Sequence, residues 1–120
     1  MNFNNRVYSA FLLFGLVLPY VSSAFTGEVV KSFPSPGKYA TGLTWDGQNI
    51  WMADRKTDLL YQINPTTGSV ARTIPSPGYW PTGLAWDGTN LWCADIKGGR
   101  DAEEVYEGMI YKLDPKDGTI

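Results

Sequence analysis

Residues 40–54 read Ala-Thr-Gly-Leu-Thr-Trp-Asp-Gly-Gln-Asn-Ile-Trp-Met-Ala-Asp, and residues 81–95 read Pro-Thr-Gly-Leu-Ala-Trp-Asp-Gly-Thr-Asn-Leu-Trp-Cys-Ala-Asp. The offset between Trp45 and Trp86 is 41 residues, as it is between Pro36 and Pro77, so the correspondence runs back to Gly27–Asp54 against Gly68–Asp95. Beyond Asp95 the second copy carries extra residues before LLYQINPTTGSV is answered by MIYKLDPKDGTI. Tyr61 and Tyr111 are 50 apart, which makes the insertion nine residues long. Self-similarity at this period is the signature of a repeat architecture.

Each copy divides into four short strands. Gly42–Trp45 is the first, closed by the Asp46-Gly47-Gln48-Asn49 hairpin, whose Asp-Gly pair suits a tight turn. Ile50–Ala53 is the second, Leu59–Ile63 the third, and Ser69–Ile74 the fourth, ending at the stiff Pro75-Ser76-Pro77-Gly78 connection. No helical periodicity separates them, so the expected fold class is all-β and antiparallel. Strands such as Ile50-Trp51-Met52-Ala53 and Leu91-Trp92-Cys93-Ala94 are apolar on both faces, which demands sheets stacked on sheets. A four-stranded unit of about 40–45 residues matches a β-propeller blade. The expectation is a propeller segment of two four-stranded blades, with repeat units at about 27–67 and 68–117.

At these residues the chain resembles the exported microbial YVTN/NHL-type propellers, a group that includes streptogramin-lyase-like and propeller glutaminyl-cyclotransferase-like proteins. The resemblance rests on residues 81–95 and 110–118 and covers essentially all of 27–120. It implies the blade more than any activity, because these motifs are the structural repeat itself. A cyclotransferase would be expected to carry Thr-Gln-Gly-Leu or Thr-Glu-Gly-Leu; Thr41-Gly42-Leu43 and Thr82-Gly83-Leu84 lack the Gln or Glu.

The ends of the chain carry further expectations. Arg6 precedes an apolar run from Ala10 to Val21, and Ser22-Ser23-Ala24 offers small residues where a signal peptidase cuts. Residues 1–24 therefore read as a signal peptide, with residues 25–120 secreted to the periplasm or exterior and without a membrane anchor. Gly27-Glu28-Val29 aligns with Gly68-Ser69-Val70 and with Gly118-Thr119-Ile120. An outer strand is thus expected at Glu28–Phe33, and a further one is just beginning at the end. Two blades do not close a ring. Either this is the front of a longer protein, which the abrupt end favours, or further copies self-associate to complete it.

Composition removes several function classes. The chain has 10 lysines and arginines against 12 acids, a formal net charge of −2, and losing Arg6 with the leader makes it more negative. Neither nucleic acid nor an anionic membrane is an expected partner. There is no histidine, which excludes Ser-His-Asp and Cys-His catalysis and the commonest transition-metal ligand. Cys93 is the only cysteine; it replaces Met52 in the repeat and reads as a small buried hydrophobe. Asp46 and Asp87 read as hairpin residues without calcium-loop spacing, and no metal site is expected.

Candidate ligand-binding residues are those that break the repeat or border it. The loops entering strand one and those joining strands two and three share one rim of a blade. This places Tyr39 and Tyr79-Trp80 beside Arg55, Lys56 and the insertion that carries Asp101, Glu103, Glu104 and Glu107. Aromatic rings with an acidic loop suit a sugar, a peptide or a cation. Asp54 and Asp95 end the second strand of each copy and are candidates too, although a repeated Asp there is also the expected turn cap. The expected function is a secreted binding or interaction scaffold for a protein, peptide or carbohydrate. The alternatives are the N-terminal part of an exported propeller enzyme and a self-assembling lectin-like subunit. Whether the chain catalyses anything, and with what cofactor, is open at this stage.

Overall fold

The Asp-Gly hairpin builds both halves of the molecule. In the computed structural model, which describes residues 27–97 and 107–120, Asp46 N–H donates to Asn49 O at 3.0 Å and Asp87 N–H to Asn90 O at 3.2 Å. The glycine that follows each aspartate adopts φ +98°, a conformation open to few other residues. Around these turns lie β1 (Ala40–Trp45), β2 (Ile50–Asp54), β3 (Leu59–Ile63), β4 (Val70–Pro75), β5 (Pro81–Trp86), β6 (Leu91–Lys97) and β7 (Glu107–Leu113). They form two antiparallel sheets, ordered β1-β2-β3-β4 and β5-β6-β7.

The structure departs from the sequence reading in two places. The second sheet has three strands, and residues 118–120, where a fourth would begin, carry no regular structure. The outer strand expected at Glu28–Phe33 is not formed either. A strand is held by a ladder to its neighbour, and residues 27–35 enter neither sheet. Val29 and Val30, in the unit preceding Lys31, are exposed. Within Lys31–Ile120, Phe33 packs against the cluster of Met52, Tyr61 and Ile63, and Lys31 Nζ donates to Thr66 O.

The sheets meet face to face. From β2, β3 and β4 come Trp51, Ala53, Leu60 and Ile74; from β6 and β7 come Leu91, Cys93 and Leu113, with Leu84 and Trp86 of β5 packed against them. The first seven are at most 2% exposed, and the β5 residues are partly buried. Each large side chain so buried contributes roughly 1.5–3 kcal/mol. The first strands of the two sheets come closest. A Cβ on Gly42 would lie 2.8 Å from Gly83 Cα, and Thr41 Oγ donates to Pro81 O at 2.6 Å.

Both first strands are bulged at the same point, between Ala40 and Gly42 and between Pro81 and Gly83. A bulge bends its strand and leaves main-chain groups unpaired. Thr82, inside the second bulge, donates its Oγ to Ala94 O at 3.2 Å. These bulges stand where the chain enters each sheet, immediately after Tyr39 and after Tyr79-Trp80.

Candidate functional site

Two loops and a turn converge at that end of the sheets. The loop into β1 brings Tyr39, the β2–β3 turn brings Arg55 and Lys56, and the loop into β5 brings Tyr79 and Trp80. Together they line a pocket of about 270 Å³. The loop and turn of the first copy are tied through their main chains, Arg55 N–H donating to Tyr39 O at 3.2 Å; Ile96 N–H repeats this bond to Trp80 O. The Arg55 guanidinium carbon lies 5.6 Å from the Tyr39 ring centre and 5.3 Å from that of Trp80. Both distances are within cation–π range, so two rings from different copies hold one cation.

Asp54 is the post under this arrangement. It is fully buried, and its two carboxylate oxygens accept from Tyr39 N (2.7 Å), Lys56 N (2.8 Å), Thr57 N (3.0 Å) and Thr57 Oγ (3.3 Å). One carboxylate therefore sets the distance between the loop carrying Tyr39 and the turn carrying Arg55 and Lys56. Burial acts to raise its pKa, the amides of Tyr39, Lys56 and Thr57 act to lower it, and the net direction is down. Gly37 makes the position possible: a Cβ there would run into the Asp54 carboxylate.

Asp95 occupies the same place in the second copy with a thinner set of donors. Trp80 N donates to it at 3.3 Å and Ser76 Oγ at 3.4 Å. Gly78 stands against it as Gly37 stands against Asp54. Where the first copy turns after Asp54, β6 and β7 run on to the Lys97–Glu107 pairing, and among the described residues no further amide donates to Asp95. Here burial prevails, with a smaller push from the Asp58 charge, and the carboxyl is held above the ordinary aspartate range. Cys93, next but one to it, is buried, and desolvation together with the Asp95 charge pushes its thiol up to about 12.

Of the residues singled out from the sequence, Tyr39, Tyr79 and Trp80 face one pocket. Asp54 and Asp95 lie buried behind it and hold its walls. Glu107 is exposed at the start of β7. Asp101, Glu103 and Glu104 lie outside the described residues. Arg55 and Lys56, which the topology puts on this rim, supply the charge that the list of candidate ligands did not count. The Gly37–Asp54 and Gly78–Asp95 contacts were not anticipated; the signal for them was a glycine 17 residues before the aspartate in both copies.

The hairpins at the opposite ends of β1 and β5 carry a separate, repeated lock. Asp46 Oδ2 accepts from Trp51 Nε1 at 2.9 Å and from Gln62 Nε2 at 3.0 Å, and Asp87 Oδ2 accepts from Trp92 Nε1 at 2.8 Å. The second oxygen of each aspartate caps the turn amides, Gln48 and Asn49 in one copy, Thr89 and Asn90 in the other. These aspartates serve the turn and the indole. Among the described residues, the one ion pair at a hairpin joins Lys112 to Asp87 at 3.6 Å, and no three metal-ligating side chains cluster.

No family model matches the chain. No curated protein matches it either. Among the described residues, no helix is long and apolar enough to cross a membrane.

Proposed function

We propose that this chain is an exported β-propeller segment of the YVTN/NHL type that acts as a binding module, with its ligand site at the pocket of Tyr39, Arg55, Lys56, Tyr79 and Trp80. The observation that carries the site is the convergence of three aromatic rings and two cations, drawn from both copies of a repeat, on one concave surface. Strand positions duplicated between the copies serve the shared core. Pocket positions are unlike one another across the copies: Lys38 and Tyr39 stand where the second copy has Tyr79 and Trp80, and Arg55 stands where it has Ile96. Side chains freed from the repeat are those available for recognition.

The propeller reading draws support from the packing. Sheet stacks on sheet with the first strands closest, and the outer faces stay apolar. Leu43 and Trp45 are 65% and 51% exposed on one side, and Ile110 is 73% exposed on the other. A further blade on each side would cover them. Export is carried by the reading of residues 1–24 as a signal peptide.

The test is a nuclear magnetic resonance screen of the chain against small sugars, amino acids and short peptides. The expected result is a set of shifts confined to Tyr39, Arg55, Lys56, Tyr79 and Trp80, abolished by Trp80→Ala without loss of the fold. Shifts scattered over the surface, or silence across the whole panel, would remove the binding-module reading.

A further inference from the structure

The binding-module reading leaves open what chemistry the pocket takes, and three observations narrow it. The pocket carries two cations, Arg55 and Lys56, and among the described residues neither stands in an ion pair. Its walls are flat and apolar, formed by the rings of Tyr39, Tyr79 and Trp80. Its volume, about 270 Å³, lies just below the roughly 300–1,000 Å³ of sites for drug-sized ligands. One ring-sized group fits.

The donors discriminate further among anions. The amides of Tyr39 and Lys56 are taken by Asp54, that of Trp80 by Asp95, and that of Arg55 by Tyr39 O. Among the described residues, then, the pocket offers no run of successive free main-chain N–H groups of the kind that cradles a phosphate. What it offers is a guanidinium fork with an ammonium beside it. A fork suits the two coplanar oxygens of a carboxylate. Arg55 is already held against two rings, so less side-chain freedom is lost on binding.

From this we infer that the pocket takes a six-membered ring bearing a single carboxylate, with the carboxylate on Arg55 and Lys56 and a ring face against the aromatic walls. The inference rests on the binding-module reading. Two sources share this chemistry, a sugar acid and an aryl carboxylate.

The experiment titrates the full chain with glucuronate, glucose, benzoate and inorganic phosphate, following the Trp80 indole and Arg55 side-chain resonances. Saturable shifts with glucuronate or benzoate are expected, with affinity at least about tenfold above that for glucose or phosphate. A response to glucuronate alone identifies a sugar acid, and one to benzoate alone an aryl acid. Arg55→Gln should lower the affinity by about tenfold or more while the melting temperature holds. Glucose binding as tightly as glucuronate, phosphate competing on equal terms, or an unchanged affinity in Arg55→Gln would each overturn the ring-carboxylate assignment. The binding-module reading would survive those results. It falls if the wider screen gives scattered shifts or none.

Discussion

Leu60 and Ile110 occupy the same position in the two copies, yet Leu60 is 0% exposed and Ile110 73%. Trp51 is buried at 1% while its counterpart Trp92 is only partly buried, with the Lys112 ammonium 5.5 Å from its ring centre. The reverse holds one strand away, where Trp86 packs into the shared core and Trp45 is 51% exposed. Near-identical sequence thus meets opposite environments. A residue's contribution here is set by which neighbour its sheet face meets, and the one sheet–sheet interface buries opposite faces of the two copies.

The most forceful way to break this comparison is to truncate both members of a pair. Trp51→Ala should cost about 3–5 kcal/mol, the range for a large aromatic removed from a core. Trp92→Ala should cost less, about 1–2 kcal/mol, because that ring is only partly buried. Denaturant midpoints of the two variants measure the gap, and equal losses would mean that the exposed face is covered in solution.

A smaller contrast is expected between the buried aspartates. Asp54→Ala leaves three amides and a hydroxyl without their acceptor and should cost about 1–3 kcal/mol or more. Asp95→Ala releases only the longer bonds from Trp80 and Ser76, and should cost less. The same denaturation series measures both.

The two carboxyls should also respond to acid with opposite signs. The Asp54 pKa falls on folding, so its contribution is present above the ordinary aspartate value and is lost as the pH drops through the lower folded value. That of Asp95 rises on folding, so its contribution is present below the ordinary value and is lost as the pH climbs through the higher folded one. Melting curves of Asp54→Asn and Asp95→Asn between about pH 3 and pH 6 should therefore diverge from the parent in opposite directions.

The least effect should come from Cys93. With the thiol buried and pushed up to about 12, a disulfide reagent at mildly alkaline pH should modify it only as fast as the protein unfolds. Prompt labelling would show that the sheets part more readily than their packing indicates.

The strands were legible because the repeat supplies each one twice: Leu59–Ile63 coincides with the sequence reading, and the other strands of the first copy differ by two residues or fewer at either end. The rim residues were legible from connectivity alone, since the loop into β1 and the β2–β3 turn must lie at one end of an up-and-down sheet. What Asp54 does was not legible. Gly37 and Asp54 are 17 residues apart, and only the folded sheet brings an empty Cβ position against a carboxylate. The direction of the Asp95 shift was hidden for a related reason: among the described residues it finds fewer donors than Asp54, although its own surroundings in sequence look unchanged. At Glu28–Phe33 the repeat misled, because likeness to a strand does not provide the strand beside it.

The Asp-Gly hairpins bear on the chemical lifetime of the chain. Among aspartyl pairs, an aspartate followed by glycine is the most prone to cyclise, its side-chain carbon attacked by the next main-chain nitrogen, and to reopen as a kinked isoaspartyl linkage. Asp46 is poorly placed for this in the folded protein. Its carboxylate is pinned by Gln48, Asn49, Trp51 and Gln62, and although burial acts to raise its pKa, those bonds hold it lowered and ionised. Asp87 is clamped in the same way by Thr89, Asn90 and Trp92. The indole that fills the core or its margin thus also shields the turn from ageing, and isoaspartate should accumulate at these two sites only in chains that have lost that clamp.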